Sequence, residues 1–147
     1  MTPTGQALAR QFRGAFGGLR DIIAKLPDEH WHAGATRDQV PARRVHHAVE
    51  CAGRHCRLRG RCRAEAHIGT REAAHRSRDD MLAYVDDTAC RVEAALEAMA
   101  DEQFAAPTRR FGMELEHWLY ALRHLQHHVG QLSSTLRERR LPPMKWH

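Results

Sequence analysis

The residues best suited to chemistry are His124 and His128, within the stretch Arg123-His124-Leu125-Gln126-His127-His128-Val129-Gly130-Gln131-Leu132. Four residues along an α-helix is about 40° of rotation and about 6 Å of rise. Both imidazoles therefore leave one face of the helix, a turn apart. Two ring nitrogens so placed can converge on one metal ion, the logic by which paired histidines at this spacing bind zinc in helical enzymes. Twelve histidines in 147 residues make such a pair common by chance. Position separates this one from chance, because it interleaves with an apolar stripe. Two ligands do not complete a site, so another helix must supply a third.

The elements that must position the pair follow from hydrophobic periodicity. Thr2-Pro3 starts a helix of about 3 to 26, with Leu8, Phe12, Phe16, Leu19, Ile22, Ile23 and Leu26 on one stripe. Gly14, Gly17 and Gly18 lower its intrinsic propensity, so packing must hold it. A long connection, 28 to 40, carries Trp31 and His32. Pro41 opens a second helix with Val45, His46, His47, Val49, Cys51 and Ala52. His47 and Glu50 share nearly one face there and His46 lies to the side. Spacing leaves either histidine open as the third ligand, and the other reads as a helix-surface residue. Ser77 with Asp80 is a capping-box variant before a third helix, about 78 to 99. After a connection over 101 to 110, a last helix of about 112 to 138 carries Leu115, Trp118, Leu119, Leu122, Leu125, Val129, Leu132 and Leu136. His117 reads as a core-edge histidine, His127 as outward-facing. The expectation is an all-α single domain over 1–147, a four-helix bundle with long connections.

Composition narrows the classes. No run of eighteen apolar residues occurs, so no membrane span is expected, and no secretory signal is visible. A cytoplasmic protein with Cys51, Cys56, Cys62 and Cys90 reduced is the default. Cys56 and Cys62 with His55 match no zinc-finger spacing, and the second-helix cysteines are not spaced to reach a metal held by the last helix. The net charge of +5 rests on arginine, since the only lysines are Lys25 and Lys145. Arginines cluster over 57 to 78, the place for a nucleic-acid patch, but without aromatics for base stacking. Exposed apolar positions on several helices allow a homodimer.

His124-Leu125-Gln126-His127-His128-Val129-Gly130-Gln131 resembles the last-helix signature of the DinB-like (damage-inducible) proteins, metal-binding four-helix bundles. Arg44 to Glu50, Met81 to Asp86, Val92 to Leu96 and Pro142 to Trp146 extend the resemblance over most of the chain except about 55 to 77. It implies a metal triad of His47, His124 and His128, with His47 preferred to His46 because Glu50 follows three residues later. Gly130 is then read as permitting close helix approach, and Gln131 as a partner of a ligand or a packing residue. Three neutral histidines leave a coordination position open, as catalytic sites do. Zinc is the first expectation; nickel, iron or manganese also suit imidazole. The resemblance further implies a metal-dependent hydrolase or thiol S-transferase acting on a small molecule with a low-molecular-weight thiol. Glu50 is the one carboxylate with an address for base or positioning work. The alternatives are a non-catalytic metal-binding stress-response bundle and a nucleic-acid-associated protein using residues 57–78.

Overall fold

The computed structural model describes the backbone of residues 1–58 and 76–146, and the side chains of 1–54 and 76–146. Most of the arginine-rich stretch, and the grouping of Cys56 and Cys62 with His55, lie outside the described residues. What is described is all-helical, with no strand: α1 (Pro3–Lys25), α2 (Asp28–Trp31), a 3-10 turn (Arg37–Gln39), α3 (Pro41–Leu58), α4 (Arg78–Glu97), α5 (Asp101–Phe104) and α6 (Glu114–Glu138). Four of these are long, as the periodicity requires. The connections expected over 28–40 and 101–110 each contain a short helix, closed around Trp31 and Phe104, both buried. One apolar side chain per connection is enough to pin a single turn that no stripe announces.

Helix starts follow local chemistry. The Thr2 hydroxyl accepts from the Gly5 amide at 3.1 Å, with proline at the first helical position of α1. Ser77 does the same for α4, accepting from the Asp80 amide at 3.1 Å and donating to its carboxylate at 2.7 Å.

The long helices pack in a ring: α1 lies against α4 and α6, and α3 against the same two. Leu8, Phe12, Phe16, Leu19, Ile22 and Ile23 of α1 are buried as one face. They meet Val85, Val92 and Leu96 of α4 and Trp118, Leu125, Val129 and Leu132 of α6 in a single core. The helix of α1 tolerates its glycines because packing uses one of them. A Cβ on Gly18 would meet Met144 Sδ at 3.0 Å, so the glycine seats the chain that follows α6. That segment is also held by Lys25 Nζ donating to the Pro143 carbonyl and the Lys145 amide donating to Asp21, at 2.6 and 2.8 Å. Two readings of the last helix are corrected. Leu119, placed on the stripe by sequence, is 49% exposed. Gly130 makes no close helix approach, for a Cβ there would meet nothing within 4 Å.

Candidate metal centre

Helix α3 has few large apolar residues, and burying Ala42, Val45, Val49 and Ala52 fixes its rotation. That rotation decides between the adjacent histidines. His46 turns inward, 3% exposed, and stacks on Tyr84 of α4 with ring centroids 5.7 Å apart. His47 turns outward along the seam with α6. The histidine that is not in the cluster is thus a packed one, contrary to the expectation that it lies on the helix surface. On α6, His124, His128 and Gln131 each precede a buried stripe residue (Leu125, Val129, Leu132). They form a half-buried ridge beside the core, the interleaving visible in the sequence.

The structure brings His47, His124 and His128 together, with one ligating nitrogen from each lying within 4.8 Å of the other two. Ring centroids are 5.4 Å apart for His47 and His124, 4.9 Å for His47 and His128, and 4.7 Å for His124 and His128. His117 stays out of the cluster, stacked on Phe111 at 4.8 Å. His127 is exposed.

Hydrogen bonding sets the donors for a metal. The Gln131 side-chain carbonyl lies 2.9 Å from His128 Nδ1, which must therefore carry the proton, leaving the Nε2 lone pair free. That Nε2 faces His124 Nε2 at 2.9 Å. Two nitrogens on one tetrahedral zinc sit about 3.3 Å apart, so the pair is already near ligand spacing. Charge state agrees. Burial, followed by the neighbouring imidazoles, holds the His124 pKa below its usual value. Burial pushes His128 down to about 4 against a partial counter-effect from Gln131. Both are neutral at pH 7, the form that binds a metal. The residues present therefore suit a divalent ion.

The folded pKa of His128 lies below the value of 6.5 for the free group, so protons favour the unfolded chain. The contribution is intact above pH 6.5 and is lost as pH falls toward 4, on the order of 1–2 kcal/mol after solvent screening. Denaturant titrations of metal-free protein at pH 7.5, 6 and 5 are expected to show this decline, and His128→Asn to lessen it, with His46 and His124, also held low by burial, carrying the rest.

Sequence spacing placed no cysteine near the metal ligands, yet Cys51 Sγ lies 3.7 Å from His47 Nε2 and 3.9 Å from Nδ1. Cys51 follows His47 by one turn, so the proximity is legible once the outward face of α3 is known. Burial raises its thiol pKa. Glu50 is 7% exposed and pairs with Arg54 at 3.3 Å. Its charge acts on His46, partly opposing the fall in pKa that burial causes there.

His47 and His128 of the triad line a pocket of about 380 Å³, together with Arg37, Arg43, Arg44 and Gln131. The site is open to small molecules on this side. On the other, Tyr120 approaches His124 at 6.1 Å between rings and is flanked by Phe111 at 5.2 Å. The fold and site define an all-helical protein with a three-histidine cluster close enough to hold a metal ion. Against known proteins, no family model and no curated sequence matches the chain. Among the described residues no helix is long and apolar enough to cross a membrane.

Proposed function

We propose that this chain is a metal-dependent enzyme of DinB-like type, a hydrolase or low-molecular-weight-thiol S-transferase, with His47, His124 and His128 holding one divalent ion. The observation that carries the proposal is the convergence of three imidazoles from two helices, two of which, His47 and His128, line an open pocket. A structural zinc is normally closed by four protein ligands, whereas three leave a position for water or substrate. Zinc is the first choice, with nickel, iron and manganese as the other ions that imidazole accommodates. The bound ion would supply Lewis acidity, lowering the pKa of a water or thiol.

The chain's own residues do the rest. Gln131 fixes the His128 tautomer, so that Nε2 is the ligating atom. Burial keeps His124 and His128 neutral. Glu50 is a charge behind the wall and does not line the pocket, so its role is positioning rather than proton transfer. A cytoplasmic location and a homodimer complete the proposal. Met1, Met113, Leu119 and Trp146 are the large apolar side chains exposed to a second copy among the described residues.

Elemental analysis tests the reading. Purified protein reconstituted with zinc is expected to hold about one equivalent, and the double variant His124→Ala, His128→Ala less than about a tenth of that. No metal in either, after reconstitution with both zinc and nickel, would overturn the proposal.

A further inference from the structure

The pocket beside the triad has an unusual charge for a place that would hold a cation. Arg37 of the 3-10 turn and Arg43 and Arg44 of the first turn of α3 line it, against one lining carboxylate, Asp38. The first turn of α3 contains no acidic residue. Helix N-termini favour anions and disfavour cations. Two arginines there run against local helix stability. Arg44 is spent in part on the fold, since its Nη2 donates to the Asp38 carbonyl at 2.7 Å. Arg43 is not: its Nη1 is buried and has no hydrogen-bond partner among the described residues. The same is true of Nδ1 of His46, another lining residue that is 3% exposed. A buried guanidinium nitrogen without an acceptor is destabilising, because its lost hydration is not replaced. One guest cancels all of these costs, a group with several acceptor oxygens and negative charge.

We infer that Arg37, Arg43 and Arg44 form an oxyanion subsite beside the histidine triad, so that the small molecule handled there carries a carboxylate or phosphate as well as the group presented to the metal. The inference deepens the proposed function and rests on it for the second point of attachment; the anion subsite itself rests on the arginines. At about 380 Å³ the pocket is of a size for a small metabolite rather than a polymer. Bidentate guanidinium contacts would orient the guest.

Calorimetric titration with succinate, its uncharged diamide and inorganic phosphate tests this, on zinc-loaded and metal-free protein at low ionic strength. Wild type is expected to bind at least one of the two anions in both forms and to ignore the diamide. Arg43→Gln is expected to weaken anion binding about 10–100-fold, the effect of one charged hydrogen bond. Arg44→Gln, at a more exposed part of the mouth, is a second variant should Arg43→Gln fold poorly, and is expected to act in the same direction. Tighter succinate binding identifies a carboxylate guest and tighter phosphate binding a phosphate ester; each supports the subsite. If zinc fails to bind but metal-free protein still takes the anion in an arginine-dependent way, the metal reading falls and the subsite stands. Equal anion binding by wild type and both arginine variants, or no anion binding by wild type in either form, overturns the inference.

Discussion

Metal-free protein is expected to remain folded, and His128→Ala to weaken zinc binding by more than about 100-fold while shifting the metal-free melting temperature by no more than about 4 °C. The first expectation comes from where the triad sits. Leu125, Val129 and Leu132, the stripe neighbours of the ligand ridge, are buried without help from the histidines, at 1%, 4% and 0% exposure. His47 is exposed and His124 and His128 are half-buried at the edge of the core. Nothing in the packing waits for an ion. Truncating His128 removes a half-buried ring worth about 1 kcal/mol, which is about 2–4 °C for a chain of this size. The loss in affinity is larger because a ligand is removed outright. Removing a partner of a ligand typically costs about 10–100-fold, which is the range expected for Gln131→Ala. Zinc itself should then stabilise only by linkage, about 4 kcal/mol at a thousand times its dissociation constant. Calorimetry with and without chelator reads both quantities. A chelated protein that unfolds would identify a metal that braces the bundle, the opposite of the open site proposed.

The ridge His124–His128–Gln131 was legible because one helix carries it, and helical spacing needs no knowledge of tertiary structure. The third histidine was not. His46 and His47 differ by about 100° around α3, and which one faces α6 depends on how that helix rolls. Alanines at 42, 48 and 52 give the roll a weak signature. Only the packing of Val45 and Val49, with His46 stacked on Tyr84, settles it. The arginine mouth was hidden for a different reason. It joins a 3-10 turn to the start of α3 and to α6, and the geometry of a connection cannot be read from periodicity. Gly130 and Leu119 show the reverse error, in which a helical pattern is extended to residues that lie one position off the buried face. The caps at Thr2 and Ser77 were legible because capping is decided within four residues.

The residue that ties the site helix to the rest of the fold is Trp118, two turns before the ligand ridge and 0% exposed. Its ring meets Phe12 of α1 edge-on, with centroids 5.9 Å apart and planes at 85°. Phe12 in turn lies 6.3 Å from Phe16. This is the aromatic contact between α1 and α6, and an edge-to-face pair adds about 0.5–1.5 kcal/mol beyond burial. Trp118→Ala is therefore expected to destabilise the protein by about 3–5 kcal/mol, or about 10–15 °C in melting temperature. Trp118→Phe should recover more than half of that, because it keeps the ring contact with Phe12 and leaves a smaller void. Denaturant unfolding of both variants measures the difference. His124 and His128 leave α6 about 80–120° around the helix from Trp118, so at temperatures where Trp118→Ala is still folded its zinc affinity should stay within about twofold of wild type, inside the ~0.5 kcal/mol to which distant sites are additive. A variant that loses stability and keeps its metal, beside a His128 variant that loses its metal and keeps its stability, would separate the scaffold of this bundle from its site.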